Sequence, residues 1–158
     1  MKTPNIGISD QNRQAIADQL SKILADEFIL YSKTLNFHWN IEGPDFHSVH
    51  LYLETLYEEQ QEVVDTVAEK IRALGHFVPA TLQKYLELTH LTEKTKGAND
   101  SQGIFAELLA DHESIIVFIR EEIQPIAEKW EAAGISDYIT GLMEQHEKTA
   151  WMLRSHLK

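Results

Sequence analysis

Two histidines and a run of carboxylates make the chemically richest stretch of this sequence. His38 stands just before a Gly43-Pro44 break and His50 just after it, and Glu54, Asp65 and Glu69 follow. Imidazole with carboxylate is a donor set for iron, manganese or zinc. Carboxylates stabilise the higher charge of Fe(III), and imidazole suits Fe(II). His50 and Glu54 are four residues apart, so on a helix both side chains reach one ion. Asp65 and Glu69 repeat that spacing further along.

The helix that carries these residues shows two faces. Val49, Leu53, Leu56, Val63, Val67, Ile71 and Leu74 share one stripe at 100° per residue, the face expected to enter a core. His50, Glu54, Glu58, Glu62, Asp65 and Glu69 lie opposite. A solvated face mixes signs, with Glu and Lys paired four apart. This stretch holds seven acids and only two bases between positions 44 and 74, so it invites cations. Helix length then divides the ligands. His50 and Asp65 are 15 residues apart, which at 1.5 Å per residue is about 22 Å. One ion cannot be bound by both from one chain. Each chain therefore offers two half-sites, His38/His50/Glu54 and Asp65/Glu69. A twofold antiparallel pairing of these helices joins one half of each chain to the other half of its partner, giving two identical sites per pair.

The elements that must position these side chains are all helical. Seven glycines and four prolines punctuate 158 residues, and the stretches between them are rich in Ala, Leu, Glu, Lys, Gln and Ile. Four long helices are expected. The first runs from an N-cap at about Ser9 to Trp39. The second runs from Pro44 to Leu74, with Gly75 as its C-terminal cap. The third runs from Ser101 to Glu131, kinked or loosened at Pro125. The fourth runs from about Ser136 to Leu157, set off by Gly134. The connections after the first and third helices are short, which makes antiparallel neighbours. The connection from 75 to 100 is long enough to cross the bundle, and TLQKYLELT (81–89) reads as a short extra helix inside it. Two short loops flanking one long crossover describe a ferritin-like four-helix bundle in a single domain over 1–158.

Composition excludes several alternatives. Fourteen Lys plus Arg against 25 Asp plus Glu leave a formal net charge of −11, which repels phosphate backbones. No cysteine is present, so disulfides, thiolate zinc sites, iron–sulfur clusters and cysteine nucleophiles are ruled out. No run of 18 apolar residues exists to span a membrane. The opening MKTPNIGIS has no apolar core of signal-peptide length, so a cytoplasmic protein is expected.

The stretch TLNFHWNIEGPDFHSVHLYLETLYEEQQEVVDTVAEKIRALG (34–75) closely resembles the mini-ferritins of the Dps family. The likeness rests on His38-Trp39-Asn40, on His50 twelve residues later, on Glu54, and on the D-x-x-x-E pair Asp65 and Glu69. It extends through the crossover segment TLQKYLELT to the terminal WMLRSHL, nearly the whole chain. The resemblance implies a homo-oligomer, a hollow homododecamer, that oxidises Fe(II), usually with hydrogen peroxide, and stores Fe(III) mineral under oxidative stress. It implies a ferroxidase site between twofold-related subunits, where the spacing argument also puts it. It implies that Trp39 lines that site and donates an electron to trapped oxidising species. One departure is Glu54, where Asp is common; the extra methylene keeps the ligand type. Diiron ferritins place Glu-x-x-His pairs inside each bundle. The only Glu-x-x-His here, Glu87 to His90, sits in the crossover, which argues against a di-iron site inside the bundle.

Other residues are secondary candidates. Glu58 and Glu62 share the ligand side and are expected to face a cavity and seed mineral, or to be plain solvated charge. By the same resemblance Asp137, at the start of the fourth helix, matches an acid at threefold pores, with Glu128 a weaker candidate; Asp137 otherwise serves the helix dipole. His47 is a possible secondary metal contact. His112 and His146 lie on apolar stripes and are expected to be packed polar groups between helices. His76, His90 and His156 read as loop or terminal residues, and Trp151 as a subunit contact. Two other functions compete with the ferroxidase. A DNA-binding, nucleoid-compacting protein is disfavoured by −11 and by the lack of a Lys/Arg-rich tail, and a metal-free helical interaction module is the third.

Overall fold

The computed structural model describes residues 4–97 and 99–157, all helix, turn and loop. The order is α1 (Asp10–Asn40), α2 (Phe46–Ala73), α3 (Leu82–Leu88), α4 (Ser101–Gln124), a π-helical turn (Pro125–Lys129) and α5 (Ala133–His156). The helices pair as α1 with α2 and α4 with α5, and α3 lies on α1.

Local chemistry sets most boundaries. The Ser9 side chain accepts the Asn12 N–H, Thr81 accepts Lys84 N–H and Asp100 accepts Gly103 N–H, so three helices start on side-chain caps. α2 ends as expected at Gly75, whose φ of +93° only glycine adopts cheaply. There the His76 N–H reaches Ile71 O at 3.3 Å and the Gly75 N–H reaches Arg72 O at 2.9 Å, satisfying two carbonyls that the helix end leaves free.

Three boundaries differ from expectation. α2 begins at Phe46 rather than Pro44, which sits in the preceding turn with Asp45 as cap residue. The third long helix does not continue to Glu131. Pro125 has no N–H to donate, the α-ladder stops at Gln124, and the chain widens into a π-turn in which the Trp130 N–H reaches Pro125 O at 3.1 Å. The reversal that follows is made by Glu131 at φ +59°, not by Gly134. Gly134 is therefore a residue of the first turn of α5, which begins at Ala133. Ser136 is inside that helix, and its hydroxyl donates to Ile123 O across the turn at 3.1 Å.

The core is a single seam of apolar side chains from the four long helices. Ile16, Leu20, Ile23, Leu24, Leu30 and Phe37 from α1 meet Leu53, Leu56, Val67 and Ile71 from α2, Ile104, Leu108, Ile115 and Ile119 from α4, and Ile139 and Leu153 from α5. Val63 is only partly buried, so the predicted α2 stripe is otherwise correct. The crossover is pinned to α1 twice. Tyr85 stacks on Phe28 at 4.3 Å, and the buried Asp26 carboxylate accepts from Thr89 Oγ1 (2.7 Å), His90 N–H (2.6 Å) and His90 Nδ1 (3.0 Å). A second polar tie joins α1 to α4: the Lys33 ammonium, fully buried, lies 3.0 Å from Glu107 and 2.5 Å from Asp111. Burial raises the Asp111 pKa, against the pull of Lys33.

Candidate metal centre

His38 lies in the last turn of α1 and His50 in the second turn of α2. Their rings stack at 3.8 Å, inclined by 20°. His38 Nδ1 is 3.0 Å from the carbonyl of His50, and His50 Nδ1 is 2.9 Å from the carbonyl of His38. A carbonyl only accepts, so both Nδ1 atoms carry the proton and donate. The Nδ1–H tautomer keeps its lone pair on Nε2 for a ligand, the arrangement in which metal-binding histidines are oriented by a second hydrogen bond. The reciprocity has a local cause. The His38 carbonyl is one of the last four of α1 and has no helical partner. The next N–H it would have used, that of Glu42, is turned to Asn99 O at 2.7 Å.

Neighbouring rings hold this pair. Phe46 also stacks on His50 at 5.1 Å, and His38 and Tyr57 meet edge to face at 5.1 Å. The Tyr57 hydroxyl donates to Glu54 Oε1 at 3.4 Å, so Glu54 is held on the same side as the histidines. Partial burial, then the charges of Glu54 and Glu58, raise the Tyr57 pKa. The cluster is half-sheltered: His38 is buried, His50 and Glu54 are partly buried, and Trp39 beside them is 69 % exposed.

The other sequence candidates fall elsewhere. Asp65 and Glu69 are exposed near the far end of α2. Asp65 lines a shallow surface groove with Glu58 and Glu62. Asp137 is exposed and shares a separate hollow between α2 and α5 with Glu59 and Glu62. Glu128 is exposed in the π-turn, where it accepts from Gln124 at 3.0 Å. His47 is exposed, and Trp151 is 62 % exposed. Among the described residues no three His, Asp or Glu side chains of one chain converge on a common point where an ion would sit. His38 and His50 thus stack at one end of α2 with Tyr57 between them and Glu54, and Asp65 lies about 22 Å from His50 along α2 by helical rise.

A family model for the ferritin-like domain matches residues 17–158. The DNA protection during starvation protein 2 of Bacillus anthracis is 35 % identical over 92 % of this chain and 98 % of its own. The DNA protection during starvation protein of Helicobacter pylori is 36 % identical over 87 % of this chain and 95 % of its own. This chain belongs to the Dps family of ferritin-like proteins. The crystal structure of the Dps protein of Vibrio cholerae, a member of a broad superfamily of ferritin-like diiron-carboxylate proteins, superposes on this Dps chain with a TM-score of 0.92. It is 27 % identical and covers 100 % of this chain and 98 % of its own.

Some polar features of this Dps chain were not visible in the sequence. The exchange of hydrogen bonds between His38 and His50 joins residues twelve apart through backbone atoms, which no residue pattern encodes. Tyr57 was signalled only by its i+3 spacing from Glu54. His112 and His146 are packed between helices, as expected, with Nδ1 to Nδ1 at 2.8 Å. Their third member was missed: His146 Nε2 lies 2.7 Å from Oε1 of Glu27, wholly buried on α1. The available signal was an acid within the apolar stripe of the first helix, beside Ile23, Leu24 and Leu30. No helix among the described residues is long and apolar enough to cross a membrane.

Proposed function

We propose that this Dps protein is a ferroxidase and iron store whose Fe(II) sites are shared between twofold-related chains. Kinship with ferritin-like diiron-carboxylate proteins supports iron storage and protection against oxidative stress. The observation that carries the finer reading is the His38–His50 lock. It sets the Nδ1–H tautomer on both rings, which leaves an Nε2 lone pair on each, with Glu54 one turn on from His50, and the set is short of carboxylates. Asp65 and Glu69 of a partner subunit supply them. Fe(II) arrives as substrate, drawn by the acidic face of α2. Two Fe(II) ions each lose one electron to hydrogen peroxide, whose O–O bond breaks and takes up two protons to leave two waters. Pairing the electrons limits release of hydroxyl radical. Trp39, exposed next to His38, surrenders an electron to trapped oxidising species.

The Fe(III) product hydrolyses inside a hollow homododecamer. Glu58 and Glu62, on the ligand side of α2, hold the first ferric ions there, and Asp137 with Glu128 lines the route of entry. The setting is the cytoplasm. DNA binding is not part of this reading, because −11 per chain repels a phosphate backbone and protection of DNA follows from removing Fe(II) and peroxide together. The test is the double variant His38→Gly, His50→Gly. Both side chains lie at the rim of the core, so the oligomer should persist in native mass while peroxide-driven Fe(II) oxidation collapses. Oxidation at the unsubstituted rate would overturn the assignment.

A further inference from the structure

Two histidines meet deep in the bundle, apart from the His38–His50 end. His112 on α4 and His146 on α5 face each other with Nδ1 to Nδ1 at 2.8 Å, and His146 Nε2 lies 2.7 Å from Oε1 of Glu27 on α1. All three side chains are at least nine-tenths buried. Gln60 closes the layer from α2, and the void beside them, about 20 Å³, has room for one water molecule and no more.

The contact between the two Nδ1 atoms limits how many protons the pair can hold. Two nitrogens this close are joined by one proton, one donating and the other accepting. The limit is the same whichever ring donates. If His112 donates, His146 is a neutral ring whose single proton, on Nε2, goes to Glu27. If His146 donates, it is a cation paired with Glu27, and His112 is neutral. In both arrangements the closed pair lacks at least one of the four protons that two imidazolium rings carry. The fourth would set two N–H groups head to head in an interior without solvent to separate them.

The surrounding charges do not lift this limit. Glu27 faces the pair from α1, and Glu59 lines the void from the exposed side of α2. Tyr138 on α5 is a neutral phenol close enough to feel the Glu27 charge. Asp111, beside His112 on α4, is turned to Lys33. Among the described residues no lysine or arginine lines the void. The acids favour a third proton on the pair, but they do not relieve the clash that excludes the fourth. Burial, and after it the neighbouring His146, lowers the His112 pKa well below its ordinary value, in agreement with the geometry.

We propose that this layer is an acid-operated catch: acidification drives a further proton into the Nδ1 contact and parts α5 from α1 and α4, so that the bundle loosens from its centre. His146 holds both sides of the catch, Glu27 on one ring nitrogen and His112 on the other. An opened layer takes the fourth proton at the ordinary imidazole pKa, and the closed layer does not. The closed form is therefore fully favoured above pH ~6.5 and loses ground as pH falls below it, by about tenfold per pH unit.

The test is amide hydrogen exchange of the assembled protein between about pH 7.5 and pH 5, read at residues 146–150 of α5 and corrected for the exchange of an unstructured peptide. Protection there should fall about tenfold per pH unit below pH ~6.5 relative to the His112→Asn protein. Asparagine keeps a hydrogen bond to His146 Nδ1 but does not titrate, and all other titrating groups are common to the two proteins. The same pH dependence in both, or none in either, would overturn the catch. Histidine nitrogen NMR on the sedimented, unsubstituted assembly over the same range keeps the test independent of variant folding. While α5 stays protected, His112 and His146 should never both be cations. Two imidazolium rings in a closed bundle would overturn the proposal.

Discussion

Subunit mixing gives the shared-site reading a quantitative test. His50→Gly removes a ligand from one half-site, and Asp65→Ala removes one from the other. The two positions are separated by about 22 Å of α2, so neither change reaches the other half within its own chain. Each homogeneous variant therefore has a lesion at every site. In a mixed twofold pair, one site collects both lesions and the other is assembled from two intact halves. Random exchange of equal amounts makes about half of all pairs mixed, each with one of two sites repaired, so about a quarter of the sites should work. The assay is peroxide-driven Fe(II) oxidation, followed by ferric absorbance before and after exchange, with mixed assemblies verified by native mass. Recovery towards a quarter of the unsubstituted rate supports a site built from two chains. No recovery, with exchange confirmed, would refute the reasoning, because a site closed within one chain keeps its lesion whatever its neighbour.

Other consequences follow from the interior and the surface. Lys33→Met should cost about 3–5 kcal/mol in denaturant unfolding, because it strands two buried carboxylates; adding Asp111→Asn and Glu107→Gln should recover much of the loss. Tyr52 and Tyr138 are pushed up to about 12 by burial, with Glu59 and Glu27 respectively adding to it, so ultraviolet titration should show two phenols ionising late. Since the folded state holds those protons above the ordinary phenol range, their contribution to stability is full below pH ~10 and is lost as pH rises towards 12. A gel shift at moderate salt should show no retardation of plasmid, and a lysine-rich N-terminal extension should create salt-sensitive binding.

Much of the fold was legible because its signals are local. Ser9 and Thr81 cap the helices they precede, Gly75 closes α2 in the left-handed region, and the 26 residues from 75 to 100 are too many for a hairpin between helices. The errors gather around Pro125. A missing N–H ends an α-ladder, but whether the chain kinks, stops or widens into a π-turn depends on what packs against it. Here Ser136 bridges to Ile123, and a non-glycine, Glu131, takes the positive φ, so the turn left no glycine signature. The i, i+4 spacing of His50 and Glu54 was readable on a helical wheel and His38 from its place before the turn, and the structure stacks the His38 and His50 rings at 3.8 Å. The direction of their hydrogen bonds was not readable, because it depends on carbonyls freed at a helix end. Glu27 and Gln60 escaped for a related reason: a buried acid or amide looks like any other polar residue until the void it faces is built.

The central claim is that iron is bound by pairs of chains and not by single ones. Anaerobic Fe(II) titration monitored by native mass tests this most directly. The assembled protein should bind Fe(II) saturably at two equivalent shared sites per twofold pair. His50→Gly and Asp65→Ala should each abolish both shared sites, and chains kept monomeric should lack them. A monomer that takes up Fe(II) at His38, His50 and Glu54 as tightly as the assembly would contradict the account.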